Sequence, residues 1–134
     1  AYWVPDAGEA TQLTRDDSAA EALIAAGLSA EEAHRSSQAH AITKWLGRDS
    51  EDVVPTIGRH PLTEDGWVLA CSDGFWNYAS GPAEVAAQVH SATVAHGPDP
   101  EQVALGLVQW AIAQGGHDNI TVAVARLGAG PVGE

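Results

Sequence analysis

The sequence predicts an α+β fold, with helices packed on a largely antiparallel sheet, and three observations carry that prediction. Apolar runs occur at residues 2–4 and 67–71 and an alternating strand pattern at 120–127, while the stretches between them carry helix-start signals. The order along the chain is strands, helices, strand, two helices, strand, which suits helices laid on an antiparallel sheet. The length of 134 residues, the 45% hydrophobic content and the five Trp fit one folded domain; no internal repeat or linker divides it.

The elements follow in order. Residues 2–4, the turn Pro5-Asp6-Ala7-Gly8 and residues 9–13 read as a hairpin. Ser18 with Glu21 opens a short helix that Gly27 closes, and Ser29 with Glu32 opens a second one. Residues 39–46 predict a third helix ending at Gly47, and Val53-Val54-Pro55-Thr56-Ile57 predicts an edge strand, because Pro55 has no N–H for a ladder. Trp67-Val68-Leu69-Ala70-Cys71 is continuously apolar and predicts a strand covered on both faces. Ser80 and Pro82 open a helix with Val85, Val89 and Ala92 on one face. Asp99 and Pro100 open the longest helix, with Val103, Leu107, Trp110 and Ala111 on one stripe and Gly115-Gly116 as its stop. In the last strand, residues 120–127, alternation sets Ile120, Val122 and Val124 on one face, and residues 128–134 read as a flexible tail.

Eighteen acids against six bases give a formal charge of −12. That balance argues against sequence-independent nucleic-acid binding, which needs a basic footprint. It suits cationic partners, metal ions included, and equally suits plain solubility. The lone cysteine, Cys71, lies in an apolar run and reads as a small buried hydrophobe; a chain unable to form an internal disulfide fits a reducing, cytoplasmic compartment. No apolar run is long enough to span a bilayer, and no signal peptide is evident. The chain has no Met and opens on an apolar strand, which reads as a piece of a longer protein.

Two local patterns fail as sites. Gly128-Ala129-Gly130-Pro131-Val132-Gly133 has dinucleotide-binding glycine spacing, but the mechanism needs a following helix N-terminus. The six histidines lack zinc-ligand spacing, with His34 and His40, and again His90 and His96, six residues apart. No Gly-x-Ser-x-Gly nucleophile elbow occurs.

The informative segments are Cys71-Ser72-Asp73-Gly74-Phe75-Trp76-Asn77 and Gly115-Gly116-His117-Asp118-Asn119-Ile120-Thr121. Each sets an Asp in a polar turn beside an apolar strand. Alone, either is a turn signal. Together, Asp73 and Asp118 look like part of a site for a hard divalent cation, which takes several oxygen ligands.

In this order and spacing, the two segments resemble the late motifs of the metal-dependent serine/threonine protein phosphatases of type 2C. The segments Gln12-Leu13-Thr14-Arg15-Asp16-Asp17-Ser18, Ala25-Ala26-Gly27-Leu28 before Glu31-Glu32-Ala33, and His40-Ala41-Ile42-Thr43-Lys44-Trp45-Leu46-Gly47 resemble the same family, so the likeness runs over about residues 2–127. The resemblance implies an α-β-β-α sandwich of mostly antiparallel sheets flanked by helices. It implies a two-metal centre of Mn²⁺ or Mg²⁺, with Asp73 and Asp118 as metal ligands and a phosphoprotein as substrate. Such a centre activates a water and neutralises phosphoryl charge during in-line attack.

The family's early motifs, an Arg before an Asn-Glu-Asp-like segment and an Asp-Gly-x-Gly-Gly segment, do not occur in this sequence. Residues 1–134 then correspond to the C-terminal portion of one phosphatase-like domain, whose missing N-terminal part is an expected partner; alone, this portion is expected to be inactive. Asn77 stands where many relatives carry Asp, and Asp17 where relatives often carry His. These departures leave open a non-catalytic pseudophosphatase or regulatory interaction module.

Overall fold

The structure is a computed structural model, and it describes residues 1–39, 41–50, 52–61 and 63–128. The elements are β1 (Tyr2–Pro5), β2 (Thr11–Gln12), α1 (Ala19–Ala25), α2 (Ala30–His34), β3 (Gly66–Cys71), α3 (Asp73–Trp76), α4 (Pro82–His96), α5 (Pro100–Gln114) and β4 (Val122–Leu127). This is an α+β fold. The chain divides into two compact units, Ala1–Leu13 with His60–Glu134, and Thr14–Arg59.

The first unit is built on a four-stranded sheet in the order β2-β1-β3-β4, with every neighbouring pair antiparallel. Strand alternation places Tyr2, Val4, Trp67, Leu69, Val122 and Val124 on one face. Those side chains form one core with Val85 and Val89 of α4 and Val103, Leu107 and Ala111 of α5. The last three follow the helical 3–4 spacing read from the sequence, and burying a Val or Leu side chain is worth about 1.5–3 kcal/mol. Tyr2 Oη donates to the Ser80 carbonyl at 2.8 Å, tying β1 to the chain entering α4.

The opposite face is open along much of its length. Trp3 is buried at one end, but Ala70, Ala123 and Ala125 are exposed. The run 67–71 is therefore not covered on both faces among the described residues. Its apolar character is continuous, but alternate side chains leave the α4–α5 side, and there the small Ala70 meets no covering layer.

Both long helices start as their sequences require. Pro82 occupies the first turn of α4, and Glu84 Oε2 accepts from the backbone N–H of Ser80 and of Gly81, at 3.1 and 3.0 Å. The N-cap is therefore Gly81 and not Ser80, whose hydroxyl takes no part in the cap. Asp99 caps α5 by accepting from Gln102 N–H at 3.0 Å, with Pro100 next in line. Gly115 and Gly116 end α5 with φ of 150° and 58°, a left-handed pair that other residues adopt only with strain.

On the core face, Arg126 of β4 lies over the Trp67 ring, 5.2 Å from its centroid, and makes a two-pronged ion pair with Asp6 just beyond β1. The hydrogen bonds from Arg126 hold the Asp6 carboxyl below the usual carboxylate range, and Asp6 in turn raises the guanidinium. A depressed carboxylate adds stability above its unfolded pKa and loses it as pH falls through the folded value. Both side chains are part-exposed, so Asp6→Asn is expected to cost only about 0.5 kcal/mol at neutral pH. In urea titrations the gap from the parent protein should close in acid, below the ordinary Asp range; a gap independent of pH would contradict the ion-pair account.

In the second unit, Ser18 Oγ accepts from Glu21 N–H at 3.2 Å to start α1. Ser29 and Glu32 form the reciprocal capping box of α2. Ala20, Ala33 and Ala39 make its small core, with Leu23 and Ile24 packed on it.

Two expectations fail in this unit. Described residues within 39–46 are not helical, and His40 lies outside the described residues. Ile42 instead bridges Ser18, Ala19 N–H donates to Ala41 O at 2.8 Å, and Thr43 N–H donates to Asp17 O at 2.8 Å. Those backbone groups are taken by the chain near α1, so an i to i+4 ladder cannot form. Residues 53–57 form no strand: Val54 N–H donates to Asp52 Oδ1 and its carbonyl accepts from Lys44 Nζ, both at 2.9 Å. Side chains have replaced the ladder partners, and Lys44 also pairs with Asp52 at 2.7 Å, which lowers the Asp52 pKa. The expected tail, apart from Gly128, and the rejected glycine pattern lie outside the described residues.

Candidate metal centre

Strands β3 and β4 pair through Cys71 and Val122, and the chain beyond that last pair forms the two turns that carry Asp73 and Asp118. Ser72 joins them. Its backbone N–H donates to Thr121 O at 3.0 Å, its Oγ accepts from Thr121 N–H at 3.0 Å, and its hydroxyl donates to Asn119 O at 3.0 Å. One residue thus bonds to both sides of Ile120, immediately before Asp73 and immediately after Asp118.

The two turns touch closely because of Gly74. It is buried, and a Cβ there would lie 2.3 Å from the Asn119 carbonyl oxygen and 2.8 Å from its carbonyl carbon. Any larger residue would push the Asp118 turn away. On the other side, Phe75 is fully buried and meets the Trp110 ring at 5.7 Å between centroids, so α3 is anchored to α5.

Asp73 begins α3 and is exposed; its main-chain carbonyl accepts from Asn77 N–H at 2.8 Å. Asp118 is also exposed, and its Oδ1 accepts from Asn119 N–H at 2.7 Å. Asn119 therefore orients Asp118 through its backbone. Asn77 is the exposed C-cap of α3. Tyr78 Oη accepts from His117 N–H at 3.4 Å, a long bond that adds a second link between the segments. Cys71 is only half-buried and packs against the core as a small apolar side chain.

Hard carboxylate oxygens suit Mn²⁺ or Mg²⁺ in kind. They fall short in number: among the described residues, no group of three or more His, Cys, Asp or Glu side chains could hold a metal ion. Asp73 and Asp118 supply two exposed oxygen donors of that kind at one end of β3 and β4. In the sequence Asp73 and Asp118 stand out as carboxylates, whereas Ser72 and Gly74 mark only a turn. The signal for their further roles is a hydroxyl residue and a glycine flanking an Asp directly at a strand end.

The family model for protein phosphatase 2C matches residues 52–120, a stretch holding both Asp turns. The serine/threonine protein phosphatase PstP of Mycobacterium tuberculosis (strain ATCC 25618 / H37Rv) is 32% identical over 119 residues, 88% of this chain and 21% of the relative. The protein phosphatase PhpP of Streptococcus pneumoniae serotype 2 is 33% identical over 117 residues, 87% of this chain and 45% of the relative. The chain thus spans between about a fifth and a half of the length of these relatives. No solved structure matches the chain. The matched stretch covers more than half of the sequence, and the relatives extend the likeness over most of the remainder. On that basis this chain belongs to the protein phosphatase 2C family.

Proposed function

We propose that this chain is the C-terminal portion of a metal-dependent phosphatase domain that, joined to its N-terminal part, hydrolyses phosphoserine and phosphothreonine in proteins. The observation that carries this reading is the tie between the Asp73 and Asp118 turns, which brings two exposed carboxylates to one end of β3 and β4. Both relatives are named as protein phosphatases, one of them for serine/threonine.

Asp73 and Asp118 would hold the divalent ions, Mn²⁺ or Mg²⁺. When bound, these ions supply charge neutralisation on the phosphoryl group and activation of a water. The chain's own part is to hold the carboxylates: short Asp side chains on turns braced by β3 and β4 keep their oxygens in place better than longer Glu would. The remaining ligands and the phosphate-binding Arg belong to the N-terminal part, so this portion alone binds metal weakly and does not turn over substrate. The open apolar face at Ala70, Ala123 and Ala125 is where that part would complete the sandwich. Among the described residues no helix is long and apolar enough to cross a membrane. The absence of a cysteine pair favours a cytoplasmic setting.

The test is phosphate release from a phosphothreonine peptide by the chain joined to its N-terminal part. Turnover is expected with Mn²⁺ and should vanish on chelation and return on adding the ion back. Asn77, neutral at a position where the family resemblance implies Asp in many members, favours the second reading, a non-catalytic regulatory module. That reading wins if the joined protein binds Mn²⁺ yet releases no phosphate.

A further inference from the structure

We propose that Ser72 is a positioning residue that fixes the separation of Asp73 and Asp118, so that the two carboxylates act on one metal centre. The inference rests on the reading of those residues as metal ligands. Beyond the Cys71–Val122 pair one backbone bond, Ser72 N–H to Thr121 O, continues the ladder before α3 begins at Asp73. The Ser72 side chain adds two more. The Oγ stands in for a carbonyl toward Thr121 N–H, and its proton goes to Asn119 O.

Only a group that donates and accepts at one atom can make both bonds. These bonds span 47 and 49 residues of sequence, so they lock turns that local structure leaves independent. Gly74 supplies the other half of the device: the steric gap through which Asn119 approaches α3.

Groups that orient metal ligands through hydrogen bonds typically contribute about 10–100-fold in metal affinity. The experiment is a Mn²⁺ titration of the chain joined to its N-terminal part, followed by paramagnetic broadening of the Asp73 and Asp118 amide signals. Hydrogen exchange at the Thr121 amide is read in parallel. Ser72→Ala and Ser72→Cys should each raise the Mn²⁺ midpoint by about 10–100-fold and speed Thr121 exchange, while the far-UV spectrum stays that of the parent. Ser72→Thr, which keeps the hydroxyl, should restore both readouts. Cys keeps the side chain's size without its hydrogen-bonding strength, so it separates bonding from packing and stands in if Ser72→Ala does not fold.

Asp73→Asn serves as the reference. If it weakens Mn²⁺ binding while Ser72→Ala and Ser72→Cys bind like the parent, the positioning role is overturned and the metal site stands. If Asp73→Asn leaves Mn²⁺ binding unchanged, the metal reading falls and takes the proposal with it.

Discussion

Replacing either Asp73 or Asp118 by Asn is expected to lower phosphatase turnover of the joined domain by more than about 100-fold. The scale follows from coordination: outer-shell partners of metal ligands already account for about 10–100-fold, and a ligand itself must exceed them. Asn keeps the shape of Asp and one oxygen, so both turns should survive, and the loss would come from charge. Neither carboxylate is buried, and neither joins an ion pair among the described residues, so the substitutions should leave stability almost unchanged. Steady-state rates at saturating Mn²⁺, set beside urea midpoints, provide the check. Wild-type rates in both variants would remove these residues from the metal centre. Equal loss of rate and of stability would show a structural role instead.

Phe75→Ala should produce the largest loss of stability among the residues next to the site. Phe75 is fully buried in the core and lies two positions after Asp73. Removing a buried aromatic ring costs about 3–5 kcal/mol, a large share of the roughly 5–15 kcal/mol that holds a domain folded. The edge-tilted contact with Trp110 goes with it, and α3 loses its anchor on α5. The urea midpoint of Phe75→Ala should therefore drop sharply, with weaker Mn²⁺ binding in whatever fraction remains folded. Phe75→Leu keeps most of the volume and should cost less than about 1.5 kcal/mol. If both variants lose stability alike, filled volume is not what anchors α3, and the ring contact with Trp110 carries the effect.

What could be read in the sequence was what is local. The Ser18, Ser29 and Asp99 caps bond three residues ahead, and all three occur as expected. The stripe Val85, Val89 and Ala92 is buried as its spacing requires. Asp73 and Asp118, the proposed ligands, stand out in the sequence because each sits in a compact motif. Residues 39–46 misled because their partner, Ser18, lies far back in the sequence and claims the backbone by an extended bridge. Ser72 was read as a turn former for a similar reason, since its partners Asn119 and Thr121 are distant. Continuous apolarity in 67–71 suggested two covered faces, and it could not show that Ala70 would lack a covering layer.

The antiparallel pairing of β1 with β3 also sets an order of assembly. Pro5 is partnered with Gly66, and the intervening chain carries the whole Thr14–Arg59 unit. Synthesis from the N-terminal side makes Tyr2, Trp3 and Val4 long before Trp67 and Leu69 exist to receive them. In the meantime α1 and α2 can form from contacts a few residues apart. Closing a loop of roughly sixty residues costs only about 0.6 kcal/mol more than closing one half as long. The delay is therefore one of synthesis time more than of free energy. A chaperone that holds nascent apolar segments would find a natural target in Tyr2, Trp3 and Val4, and slowed translation between residues 14 and 66 should lengthen the wait for their β3 partners.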